Sequence, residues 1–200
     1  MRLDLIGKAI GALRAGRVGD AGAYKAAALT ATAYPDVQRK VLRLSEPLPN
    51  IDLDALRTLP LETFGRTYSD LMQARGLVPL VLSPDVKVEV ASINLVAVRY
   101  VLLHDVFHVL LGFDVDLPGE LGVWTFVSEQ HYNPSFDRAA TCARVLYPCV
   151  APHRLHDLRE SRHKAKALAS RVPCLIAQPI ETFWNEPLSA LRVRLNVDPA

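Results

Sequence analysis

The sequence is short of anything that would staple it covalently. Cys142, Cys149 and Cys174 are an odd number and form no CxxC pair. A disulfide framework or zinc ribbon is therefore not expected, and three buried free thiols in a reducing compartment are. A charge surplus is equally absent: 23 basic and 21 acidic residues leave a formal net charge of +2. A nucleic-acid binder normally shows a strong basic excess, so no nucleic-acid partner is expected. No stretch reaches the roughly 18 uninterrupted apolar residues of a membrane-spanning helix. Residues 90–111 come nearest, but Arg99, His104, Asp105 and His108 interrupt them. Neither GxGxxG nor a phosphate-cradling loop is present, so no organic cofactor is expected. Internal repeats and low-complexity linkers are also missing.

The opening residues, MRLDLIGKAIGALRAG, lack the apolar block and cleavage site of a secretory signal. Arg2, Lys8 and Arg14 give them some character of a weak transit peptide. Leu3, Ile6, Ile10 and Leu13 recur at helical spacing and favour a first structural helix with these four on one face.

Half of the 200 residues are hydrophobic, enough for one core. Pro35, Pro47–Pro49 and Pro60 mark an irregular early stretch. LETFGRTYSDLMQARG (61–76) reads as a helix closed by Gly76. VPLVLSPD is a loop. Residues 87–111 are rich in β-branched side chains, yet about 25 residues without Gly or Pro is too long for a strand, so a helix ending at Gly112 is predicted. The next helix begins at ELGVWTFVSEQ. Further helices are expected over 136–147, broken by Pro148 and Pro152, over 153–171, and over roughly 180–195. No convincing alternating strand occurs. The prediction is an all-α fold, a single-domain helical bundle spanning 1–200.

Within YVLLHDVFHVLLG (100–112) three polar side chains sit in apolar surroundings, which is costly unless something satisfies them. At about 100° per residue, His104 and His108 differ by about 40° and share a face, with Asp105 at its border. Two imidazoles and a carboxylate converging in an apolar wall suit a divalent cation. Glu120 follows twelve residues after His108. Gly112, Pro118 and Gly119 reverse the chain, so Glu120 faces back from the first turn of an antiparallel helix. His104, Asp105, His108 and Glu120 are thus predicted to hold one metal ion and to form the catalytic centre. The plainer alternative makes Glu120 a first-turn residue favoured by the helix dipole and Asp105 a partner that orients a histidine. Zinc, manganese, iron and cobalt all fit this ligand set. It is not the HExxH of zinc peptidases, because Asp105 follows the first histidine.

At this point a resemblance appears. HDVFHVLLGFDVDLPGE follows the pattern HDxxH–x11–E, which resembles the signature of the coenzyme Q biosynthesis protein 4 family of ubiquinone biosynthesis. LPLETFGRTYSDLM (59–72) is similar to that family's LPxxTxGxxY segment. EPLSALRVRLNVDP (186–199) is similar to its PLxxxRxxLx[IV]xP ending. The likeness spans about residues 59–199.

The resemblance implies an all-helical fold and a bound divalent metal. It implies action on a polyprenylated quinone precursor, whose C1 carboxyl is replaced by hydroxyl in an oxidative decarboxylation. It also implies a peripheral membrane location: the cytoplasmic face of the inner membrane in a bacterium, or the matrix side of the mitochondrial inner membrane. Other quinone-biosynthesis enzymes would be partners; homodimerisation is left open. A cytoplasmic location without membrane contact is the other expectation. A polyprenyl tail needs an apolar lipid channel, for which Val90, Ile93, Val96, Val101 and Val106 are candidates; simple core packing is the alternative.

Two further functions compete. One is a non-catalytic lipid-binding scaffold organising the biosynthetic complex. The other is an HD-type phosphohydrolase, suggested by the adjacent His104–Asp105 pair. Arg154, Arg159, Arg162, Lys164, Lys166 and Arg171 share a helix suited to an anionic membrane surface or to plain solvation. His153 and His156 are weak candidates for a second metal. Tyr68 and Arg99 are read as structural, with substrate contact as the alternative.

Overall fold

The structure, a computed structural model, describes residues 2–197. Asp198 and Pro199, the end of the C-terminal segment of resemblance, lie outside the described residues. All regular elements among the described residues are helical, as predicted. In order they are α1 (Leu3–Arg14), α2 (Val18–Leu29), α3 (Pro35–Val41), α4 (Leu53–Arg57), α5 (Phe64–Arg75), α6 (Pro84–Leu111), α7 (Leu117–Glu129), α8 (Pro134–Val150), α9 (Leu155–Arg171) and α10 (Leu188–Arg194). Short 3-10 turns occupy Pro152–Arg154, Leu175–Ala177 and Ile180–Thr182. Among the described residues no helix is long and apolar enough to cross a membrane.

Helix α6 is the central element. Apolar side chains leave it in nearly every direction, so it is buried on most sides by α2, α3, α5 and α7. It is not continuous. Asn94 leaves helical geometry at φ −156°, ψ 70°. Its amide nitrogen donates to the Thr30 and Ala31 carbonyls at 3.0 and 3.2 Å, and its Oδ1 accepts from the Ala97 N–H. Asn94 therefore caps the second half of α6 from within. That half carries Tyr100, His104, Asp105 and His108. It ends at Gly112, whose φ of 68° only glycine adopts cheaply. Arg192 donates to the Val109 and Leu110 carbonyls, and Lys164 to that of Gly112. Two cations thus satisfy the carbonyl end of the helix.

The two segments flanking the histidine motif meet in space. Phe64 N–H donates to the Glu186 carbonyl at 2.8 Å and Gly65 N–H to that of Trp184 at 2.9 Å. Trp184 stacks on Phe64 and leans on buried Tyr68. Arg99, fully buried, ties the loops around Pro47 and Gln178 together. Both residues serve packing, as the structural reading has it.

Several expectations need correction. Helix α1 forms, but it packs through Leu5, Ala9 and Ala12, leaving Leu3, Ile10 and Leu13 exposed. Small alanines let α1 lie close on α2, and the larger residues stay outside. The early region is less irregular than its prolines suggest, because Pro35 begins α3. Pro148 lies inside α8. It sits in the last turn, where the carbonyl it leaves unpaired belongs to exposed Arg144 and meets water. The expected helix over 180–195 is a 3-10 turn followed by the shorter α10. Cys142 and Cys149 are exposed, and Cys174 is half-buried. Val90, Val96 and Val106 are core residues.

Candidate metal centre

Tertiary structure brings His104, His108 and Glu120 together, with one ligand atom from each lying within 4.8 Å of the others. This is the one such cluster among the described residues. The Nε2 atoms of His104 and His108 each stand 3.3 Å from a different oxygen of Glu120. Asp105 occupies the other side of His104, its carboxylate accepting from Nδ1 at 3.1 Å. His108 donates from Nδ1 to the carbonyls of Asp114 and Phe113, at 3.0 and 3.3 Å. Both rings are thus anchored through Nδ1, which leaves both Nε2 atoms turned toward Glu120.

Local sequence explains the placement. Asp116 caps α7 by accepting from Gly119 N–H, so Glu120 in the same turn is free to point at the histidines. A Cβ on Gly119 would stand 1.7 Å from the Asp114 carbonyl oxygen, and one on Gly122 2.5 Å from the Phe113 ring. The start of α7 therefore presses directly on the loop whose carbonyls hold His108.

The donor set fits a cation. His108 Nε2 is fully buried with no hydrogen-bond partner. With Nδ1 donating to carbonyls, Nε2 presents a lone pair to a carboxylate, and only a positive species between them satisfies both. Without metal, a proton takes that place on His104. Burial disfavours the charged imidazole, but Asp105 and Glu120 outweigh it and lift the His104 pKa to about 9. Burial would raise Glu120, but the two histidines hold it at about 2.

These shifts set a pH window. The His104 contribution is complete below the ordinary value of 6.5 and is lost as pH rises through about 9. The Glu120 contribution is present above 4.5 and lost as pH falls through about 2. Metal-stripped protein is expected to melt highest between about pH 4.5 and 6.5. Its melting temperature should fall toward pH 9 relative to a His104→Gln variant in chelator. Parallel curves for the two proteins would contradict the pairing.

His104 and Asp105 also line a cavity of about 760 Å³, within the usual range for small-molecule sites. Its walls come from α2, the 77–80 segment, α6, α7 and α8. Ala97 and Val101 line it from α6, whereas Val90, Val96 and Val106 do not. Tyr100, Trp124 and Phe136 add an aromatic wall. Sequence reasoning missed these three, although Tyr100 sits one turn before His104 on the same face. A second apolar groove between α1 and α2 shares Gly22, Lys25, Leu29 and Leu80 with the cavity.

His153 and His156 join no cluster; His156 lies exposed near Glu160. Several basic residues of α9 and of the turn before it are engaged within the protein. Arg154 pairs with Asp116 and Asp157, Lys166 with Glu129, and Lys164 caps α6. Leu158, Ala165 and Leu168 of the same helix are buried.

Fold and site together define a class: an all-helical protein that sets two imidazoles and a carboxylate against an apolar cleft. The chain belongs to the family of coenzyme Q (ubiquinone) biosynthesis protein Coq4, whose model matches residues 36–200. That family is involved in ubiquinone biosynthesis. The mitochondrial COQ4 homologue of Bos taurus is 28% identical over 161 residues, covering 75% of this chain and 56% of its own length. The COQ4 protein of Ajellomyces dermatitidis is 31% identical over 210 residues, covering 96% of this chain and 71% of its own. The chain spans little more than half the length of the mammalian relatives it matches. The crystal structure of a Nostoc punctiforme protein provisionally assigned to ubiquinone biosynthesis shares the fold, with a TM-score of 0.64 at 23% identity. The match covers 98% of this chain and 96% of that one.

Proposed function

We propose that the chain binds a polyprenylated hydroxybenzoate in the 760 Å³ cavity and promotes its oxidative decarboxylation beside a divalent ion. The observation that carries this reading is the shared wall. His104 belongs both to the cluster and to the apolar cleft, and Asp105, its Nδ1 partner, lines the cleft beside it. The tail runs along Leu80, Ala97 and Val101, and the aromatic head reaches His104. The ring carboxyl leaves as CO2 and a hydroxyl replaces it, a two-electron oxidation in which external dioxygen supplies the oxygen, one molecule of it serving two precursors.

His104, His108 and Glu120 would hold the ion, which supplies Lewis acidity when bound. Asp105 fixes the orientation of His104. The Phe113 and Asp114 carbonyls fix that of His108. The apolar walls exclude water from the reacting ring. The cleft and the adjoining α1–α2 groove open among exposed Ile10, Leu13, Val18 and Val78, with Arg14, Arg17 and Lys25 close in sequence. We place this mouth against an anionic membrane surface, where a polyprenyl lipid resides.

A second reading, a non-catalytic scaffold that carries the lipid among other biosynthetic enzymes, is favoured by exposed Val145, Leu146 and Val150 on the outside of α8. The phosphohydrolase reading finds no further cluster of His and Asp ligands among the described residues.

The test is turnover. Metal-loaded protein is given a 3-polyprenyl-4-hydroxybenzoate in anionic vesicles under air, and CO2 and the ring-hydroxylated product are followed by mass spectrometry. Product is expected, and a Leu13→Glu, Val78→Glu double variant should lose most of the rate with vesicles but not in detergent. Binding without product would favour the scaffold. Absence of binding would remove the cleft from the account.

A further inference from the structure

Tyr100 is an anomaly in this core. Its side chain is 3% exposed, and its hydroxyl is fully buried with no hydrogen-bond partner. The other fully buried tyrosine that carries a polar anchor behaves differently. Tyr132 donates to Gln130 Oε1 at 2.7 Å and accepts from Ile176 N–H at 3.2 Å. An unsatisfied buried hydroxyl costs about 1–3 kcal/mol, and phenylalanine would fill the same volume without that cost. The hydroxyl is therefore unexplained by packing.

Its position supplies an explanation. Tyr100 lies in the cavity wall, one helical turn before His104, with the two rings edge to face at 5.7 Å. Phe136 at 4.6 Å, with Trp124 and Phe107 each at 5.9 Å, grips the ring from other directions. The ring cannot reorient without displacing three aromatic neighbours. Burial, together with the Glu120 and Asp105 carboxylates, holds its pKa well above the ordinary value of 10.0. It stays a neutral donor.

We propose that the Tyr100 hydroxyl donates a hydrogen bond to an oxygen on the aromatic ring of the bound precursor and so orients that ring toward His104, His108 and Glu120. This rests on the cleft reading above and adds the group that selects an oxygenated head over a plain hydrocarbon. Trp124 and Phe136 complete a wall on which an aromatic ring packs. Tyr100 is thus a substrate-orienting residue, and it requires no change in its own protonation.

The test compares wild type with Tyr100→Phe, using two probes of equal tail: 3-geranyl-4-hydroxybenzoate and geranylbenzene, which lacks ring oxygens. Affinities are read by calorimetry on metal-loaded protein, with metal content and melting temperature measured alongside. Tyr100→Phe should weaken the oxygenated probe about 5- to 10-fold, the worth of one neutral hydrogen bond. Geranylbenzene affinity and metal content should not change, and the variant should melt no lower than wild type. Equal affinity of both proteins for the oxygenated probe overturns the proposal. So does an equal loss on both probes, which marks Tyr100 as packing alone. If wild type binds neither probe, the cleft reading itself fails and this inference with it.

Discussion

Glu120→Gln protein is expected to come through dialysis with its fold intact and to retain none of a divalent ion that wild type keeps. Glutamine keeps the size of the side chain and one carbonyl acceptor, so α7 loses little. Asp116, not Glu120, caps that helix. If Glu120 served only the helix dipole, the change would cost about 0.3–1 kcal/mol, a few-fold effect at most. The geometry assigns it more. Each carboxylate oxygen faces one imidazole Nε2 at 3.3 Å, inside a half-buried site where a lost charge is poorly screened. Exchanging residues that only support metal ligands commonly costs 10–100-fold in affinity. Loss of the carboxylate itself should exceed 100-fold, whereas Asp105→Asn should fall within that supporting range.

Competition with a chromophoric chelator and elemental analysis measure both, and a His104→Ala, His108→Ala double variant provides the floor. Wild-type metal content in either the Glu120 variant or the folded double variant would end the metal assignment. A host lacking its own quinone-assembly protein separates the two functional readings. A Glu120→Gln protein that loses decarboxylation yet restores quinone levels supports the scaffold.

The largest effect on stability is expected at Arg99, far from any role in chemistry. Its guanidinium is fully buried and donates to the Ile176 carbonyl at 2.8 Å, Pro47 at 2.8 Å, Gln178 at 2.7 Å and Glu46 at 3.3 Å. It also pairs with the buried Glu181 carboxylate at 2.9 Å. Arg99→Ala leaves that carboxylate without its cation and four carbonyls without donors. Breaking such a pair from one side costs about 3–5 kcal/mol, or roughly 6–20 °C in melting temperature for a chain of this size. Arg99→Lys should recover little, because one ammonium cannot reach acceptors spread around a planar fork. Thermal melting and urea titration report the loss. A variant melting within two or three degrees of wild type would show that the network contributes little.

Helix geometry alone places His104 and His108 together, and the Gly112–Gly119 reversal returns Glu120 to them, whereas Asp105, read from the sequence as a fourth ligand, turns to the Nδ1 side of His104 instead. Helix ends at Gly76 and Gly112 were legible for the same local reason. What escaped depends on partners distant in sequence. Leu3, Ile10 and Leu13 read as an inward face, but which face of α1 turns inward was decided by the alanines of α2. Asn94 sat unremarked in an apolar run because its caps, Thr30 and Ala31, belong to another element. Arg99 reads as an odd charge in a hydrophobic helix until loops more than fifty residues away close over it. The aromatic wall of Tyr100, Trp124 and Phe136 is assembled from three helices, and no local period announces it. Pro148 reads as a stop only if the carbonyl it frees is buried.

The contact of Gly119 and Gly122 with the Asp114–Phe113 loop has a consequence for how such a chain tolerates change in length. The eleven residues between His108 and Glu120 act as a ruler. One end is pinned where His108 grips the loop carbonyls, and the other where two missing Cβ atoms let α7 seat against that same loop. A residue added there has no space to bulge into, and it would rotate Glu120 by about 100° off the imidazoles. Insertions and deletions accumulating across descendants of this chain should therefore spare the interval after His108 and leave it at one fixed count.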